Sequence, residues 1–382
     1  MRLRDQSVHN FLKGYMSASI LDSLMEAPTP FEDDEKMVVT GSAITYYLWH
    51  KGLSEKYLYK PPSDLDVVLS TPKENERSIS NITKFRHMMQ DASKDAIENA
   101  GFELSASIAG RYDNSLNIKR TFTPDEIKDI LFNTRIAEVL KDNQIDNVQI
   151  DKEFTTSISM DTMVLDNTVL NTETFPTHPN AEDGMLRYQA LSASLAFKVA
   201  RSTLGRGFEQ SQRRPGDVVD IYNIVNAHGY EHDPALLRVM AVVALAQQLP
   251  SAFDQREYTG HLLHRNAEEL QDALRQHYGT RFSLSNTQMV IDVWEDIVHD
   301  VFPAWEDDDP ILTQEEDEFI MNFLMPMSGD PKENIIPELL QGTTPLKEVF
   351  NQHDELAHKI KNSTFFQQRV TYRQTASMEI EV

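Results

Sequence analysis

Apolar side chains along the first half of the chain recur at two different periods, and the switches between them predict its elements. From Val8 to Met25, Phe11, Tyr15, Ile20, Leu21 and Leu24 repeat at helical spacing, so an amphipathic helix is expected to open the chain. Ala27-Pro-Thr-Pro30 and the acidic run Phe31-Glu-Asp-Asp-Glu35 end it. Met37-Val-Val-Thr40 reads as a short strand stopped at Gly41, and Ser42 to Trp49 turns helical with Ser42 as N-cap. After a loop holding Gly52 and Pro61-Pro62, Leu65 to Leu69 reads as a buried strand. A polar helix over 79–99 is closed by Gly101, and weak alternation over 102–122 predicts two strands joined at Gly110-Arg-Tyr-Asp-Asn114. Thr123-Pro124-Asp125-Glu126 starts a helix that is expected to run to Leu140. The runs 148–150 and 155–163 are strand-like.

Asn171 to Glu182, rich in Thr, Pro and Asn, marks the boundary between two predicted domains, 1–180 and 181–382. Beyond it the pattern is helical throughout, over 185–204, 216–227, 233–248, 262–277, 285–303, 312–325 and 346–361. A poorly ordered tail is expected from Thr371. The expected class is α+β, a mixed sheet flanked by helices followed by an all-helical C-terminal domain.

Composition narrows the function classes. Apolar residues make up 40% and charged residues 25% of the 382, as in an ordinary globular protein. No apolar run is long enough for a membrane span, and no apolar segment of a secretory signal follows the N-terminal arginines, so a cytoplasmic protein without membrane contact is expected. The absence of cysteine excludes disulfides, thiolate zinc sites and cysteine nucleophiles. A net charge of −24 repels polyanions at long range, so nucleic acid needs a local basic cluster. Lys198, Arg201, Arg206, Arg213 and Arg214 form the dense one.

Candidate chemistry centres on Ser63-Asp64-Leu65-Asp66. Strand side chains alternate faces, so Asp64 and Asp66 point the same way while Leu65 and Val67 enter the core. Two adjacent carboxylates repel unless a cation lies between them, and magnesium accepts one or two carboxylates while keeping other positions for water and phosphate oxygens. Val38 to Ile44 forms a strand, a Gly41-Ser42 turn and a helix start, where free N–H groups suit a phosphate.

This order of pieces resembles the DNA polymerase β-like nucleotidyltransferase superfamily. Leu195-Ala-Phe-Lys198-Val-Ala-Arg201 and Arg213-Arg214-Pro-Gly-Asp217-Val-Val-Asp220-Ile-Tyr222 resemble the second half of the AbiEii-type toxin nucleotidyltransferases. The resemblance spans roughly residues 37–226, with Lys60 where the family often has an arginine and Gly41-Ser42 in place of the commoner double glycine. It implies that Gly41, Ser42 and Ser63 hold nucleotide phosphates and that Asp64 and Asp66 bind Mg²⁺. It further implies that Lys198, with Arg201 on the same helix face, neutralises triphosphate charge, and that Asp217 completes the acidic site. The superfamily resemblance also implies a third carboxylate on the central sheet, Asp151 or Asp161, and the local sequence does not choose between them. The implied activity is Mg²⁺-dependent transfer of a nucleotide from an NTP to a hydroxyl acceptor. The implied acceptor is the 3′ end of tRNA, and the implied role is a toxin of a toxin–antitoxin or phage-defence system with a cognate antitoxin. A small-molecule or protein acceptor, or a non-catalytic interaction protein retaining the fold, are the competing readings.

Overall fold

A computed structural model describes residues 5–27, 36–54, 56–71, 79–106, 115–142, 145, 148–166, 172–175, 186–204, 215–231, 237, 272–274 and 284–301. The helices expected at 312–325 and 346–361 and the tail from Thr371 lie outside these residues, as do Arg206, Arg213 and Arg214. The expected helices 233–248 and 262–277 are described only at Leu237 and at 272–274.

The chain is α+β. Helix α1 (Asp5–Glu26) precedes β1 (Lys36–Thr40), α2 (Ser42–His50), β2 (Asp64–Thr71), α3 (Ile79–Asn99), β3 (Glu103–Ala106) and β4 (Ser115–Phe122). Then come α4 (Pro124–Asn133), α5 (Ile136–Asp142), β5 (Phe154–Asp166), β6 (Thr172–Glu173), β7 (Leu186–Gln189), α6 (Leu191–Leu204), α7 (Pro215–Val225) and α8 (Leu284–Val301). Among the described residues the strands form one mixed 7-stranded sheet in the order β3-β4-β5-β2-β1-β7-β6. No helix among the described residues is long and apolar enough to cross a membrane.

The two faces of this sheet differ in chemistry. Met37, Val39, Leu65, Val67, Ile118, Ile158 and Met160 are buried on one face, where α1 and α3 pack over β5. On the other, Ser157 and Thr155 are exposed, Ser159 and Asn117 are half-buried, and Val38 and Val68 form a small apolar pair of their own. The period-2 pattern therefore gives β4 and β5 one dry and one polar side, while β1 and β2 also bury Val38 and Val68 on the second face. Close packing of α1 against α2 needs Gly14, since a Cβ there would lie 2.5 Å from the Tyr46 hydroxyl oxygen.

Three local expectations change. The segment expected as one helix over 185–204 begins with strand β7, whose Leu186 and Tyr188 alternate into the core and which pairs in parallel with β1. The sheet thus takes a strand from beyond residue 180. The helix expected to run to Leu140 breaks at Thr134, which is extended and whose Oγ1 donates to Ile130 O. Arg135, released from the helix, donates from its guanidinium to Trp49 O at 2.6 Å. Residues 148–150 form no strand.

Candidate active site

Register brings the carboxylates together. Strand β2 lies between β1, antiparallel, and β5, parallel, so that Thr40, Asp66 and Asp161 stand side by side on the polar face. Asp64 is two residues from Asp66 and shares that face. One carboxylate oxygen from each of Asp64, Asp66 and Asp161 can be chosen so that all lie within 4.8 Å of one another, and all three residues are half-buried. An all-oxygen set of this charge suits a hard divalent cation. These three residues could hold a metal ion. Asp161 is the third carboxylate; Asp151 is exposed, ahead of β5, and outside the cluster.

The turn beside them has a backbone that glycine tolerates best. Gly41 is the N-cap of α2 with φ 77° and ψ −155°, a region essentially closed to side-chain-bearing residues. A Cβ on Gly41 would lie 3.3 Å from Asp66 Oδ2, so the bare backbone also makes room for the carboxylate. Ser42 is thus the first helical residue and not the cap expected from its type, and the N-cap residue, Gly41, has no side chain to cap α2. Ser63 is exposed and donates its hydroxyl to Asp64 Oδ1 at 2.9 Å, which orients that carboxylate.

Helices α6 and α7 pack together and bury a second charged group. Lys198, only 7% exposed, donates to Asp217 Oδ1 at 2.9 Å and makes an ion pair with Asp220 Oδ2 at 2.7 Å. Lys60 reaches the same Asp220 oxygen at 2.6 Å and also donates to Gly216 O at 2.9 Å. Among the described residues, two ammonium and two carboxylate groups therefore meet in a buried network. Burial pulls Lys60 below the ordinary lysine pKa, and Asp220 opposes that shift. Asp220 Oδ1 is buried with no hydrogen-bond partner among the described residues.

The structure thus unites Asp64, Asp66 and Asp161 beside Gly41-Ser42, and unites Lys198 with Asp217. Lys198 stands with its charge shared between two carboxylates. Arg201 continues α6, with a side chain outside the described set. Lys60 was legible only as the nearest cation before Ser63; its partner Asp220 lies 160 residues away. No protein-family model matches this chain, and no curated protein matches it either.

Proposed function

We propose that this protein is a Mg²⁺-dependent nucleotidyltransferase with a polymerase β-like core, moving a nucleotide from an NTP to a hydroxyl acceptor. One observation carries the reading: three carboxylates converge on one face of a sheet directly beside a helix N-terminus opened by a glycine at its N-cap. A metal alone would need only the first; a phosphate ligand explains the second.

Asp64, Asp66 and Asp161 would hold the metal, and Ser63 keeps Asp64 turned toward it. Magnesium at such a site supplies charge neutralisation for the triphosphate and for the oxygens of an in-line displacement. In that displacement the acceptor oxygen bonds to the α-phosphorus and pyrophosphate leaves. The first N–H groups of α2, approached closely over Gly41, suit the phosphate oxygens. Lys198 is a buried cation whose charge Asp217 and Asp220 balance, so this network favours orienting over loose electrostatic capture.

The resemblance to AbiEii-type toxins extends the proposal to the tRNA 3′ end as acceptor and to a toxin's role in a toxin–antitoxin or phage-defence pair. A net charge of −24, and two site lysines already paired with carboxylates, favour instead a small-molecule or protein hydroxyl. Incubating the protein with each α-labelled NTP and Mg²⁺, with and without tRNA, separates these. Label on RNA, or on the protein itself, that disappears in Asp66→Ala supports the site. Absence of any label transfer under conditions where a control enzyme works, or equal transfer by Asp66→Ala, sinks it.

A further inference from the structure

The described residues between α2 and β2 form no helix or strand, yet they are fastened along α7 and the residues that follow it. His228 N–H donates to Leu53 O at 2.8 Å, and Ser54 and Ala227 form an antiparallel bridge. The Asn223 amide takes both backbone groups of Leu58, accepting from its N–H at 2.9 Å and donating to its carbonyl at 3.0 Å. Lys60 closes the series on Asp220 and on the Gly216 carbonyl. The partners descend from 228 to 216 as the strap ascends from 53 to 60, so the two lie antiparallel. Tyr57 donates its hydroxyl to Lys60 O at 2.9 Å and ties the strap's last turn to itself.

The link from Lys60 to β2 is short and stiff. Pro61, Pro62 and Ser63 lead directly to Asp64. Each proline fixes its own φ and confines the residue before it to extended backbone, so the stretch acts as a semi-rigid spacer. Wherever Lys60 is held, Asp64 is carried along with little slack.

We infer that Lys60 is a positioning residue for the divalent-cation site: by clamping the strap to Asp220 and Gly216 of α7, it sets where Asp64 presents its carboxylate. The inference rests on the metal-binding part of the proposed function. It also makes α7 a structural participant in a site whose three described carboxylates come from the sheet.

A charge effect and a positioning effect differ in sign. Were Lys60 only a nearby cation, its removal would leave the carboxylates' surroundings more negative and tighten divalent-cation binding. Positioning demands weaker binding. Lys60→Met alone leaves Asp220 short of a partner in a buried network, which strongly destabilises. The informative variant is therefore Lys60→Met/Asp220→Asn, which removes one charge of each sign. Asn223→Ala loosens the strap at Leu58 without touching any charge.

The full-length protein is titrated with Mn²⁺ alone by calorimetry and by electron paramagnetic resonance, with thermal melts of each variant. The double variant is expected to bind Mn²⁺ about tenfold more weakly, the loss usual when a group that orients a metal ligand is removed. Asn223→Ala shifts affinity in the same direction, and Lys60→Arg, which keeps charge and donors, restores it. If wild type binds no Mn²⁺, or Asp66→Asn binds it as well as wild type, the metal reading falls and this inference with it. If Asp66→Asn abolishes binding while the double variant and Asn223→Ala bind as wild type or tighter, the Lys60 inference alone is overturned.

Discussion

Replacing Asp161 with Asn takes one negative charge from the carboxylate cluster and leaves the side chain nearly unchanged in size. Oxygens of Asp64, Asp66 and Asp161 lie within 4.8 Å of one another. At that separation two unit charges repel by about 0.9 kcal/mol in water's dielectric and by about 3.5 kcal/mol at an effective dielectric near 20. All three residues are half-buried and meet solvent, so the lower figure is the better guide. Removing two such repulsions is therefore worth about 2 kcal/mol. Without divalent cations, Asp161→Asn should melt above the wild type by a few degrees. With Mn²⁺ at about 100 times its Kd, the wild type gains about 2.7 kcal/mol that the variant largely forgoes, and the order of the melts reverses. Thermal and urea melts in EDTA and in Mn²⁺ read both terms, and added salt should shrink the difference in EDTA. A variant less stable than wild type in EDTA, and equally stabilised by Mn²⁺, would refute both the crowding and the metal site.

Gly41→Ala forces a side chain into a conformation only glycine adopts easily and sets its Cβ 3.3 Å from Asp66 Oδ2. It should cost about 1–3 kcal/mol in urea unfolding and weaken Mn²⁺ binding; wild-type behaviour in both would contradict the glycine-dependent turn. Burial raises the phenols of Tyr46, Tyr188, Tyr222 and Tyr230 above their ordinary value of 10.0. In the unfolded chain these groups lose protons near that value while the folded protein keeps them, so stability should fall as pH rises past 10.0. Phenolate absorbance followed beside circular dichroism checks this. A single ordinary tyrosine titration with the fold intact would show that these hydroxyls are not held from water.

Near-neighbour patterns were enough to place Asp64 and Asp66 on one side of a strand, because alternation is a property of the strand itself. The Gly41-Ser42 turn was equally legible, since an apolar run, a glycine and a helical pattern succeed one another within a few residues. Strand β7 was not: a four-residue run with apolar positions at Leu186 and Tyr188 merges into the helical pattern after it, and only pairing with β1 makes it a strand. The choice of Asp161 over Asp151 likewise depends on which residue of β5 stands opposite Asp66, a register set between segments far apart in the chain. Lys198 and Asp217 were both visible as charged residues on neighbouring helices, but the sharing of Asp220 between Lys198 and Lys60 was not. Periodicity and turn chemistry are decided by local sterics and burial, so the sequence by itself determined the strand that carries Asp64 and Asp66 and the glycine turn. Strand register and buried charge balance arise only when distant segments meet, so the tertiary structure alone decided the third carboxylate and the strap that ends at Lys60.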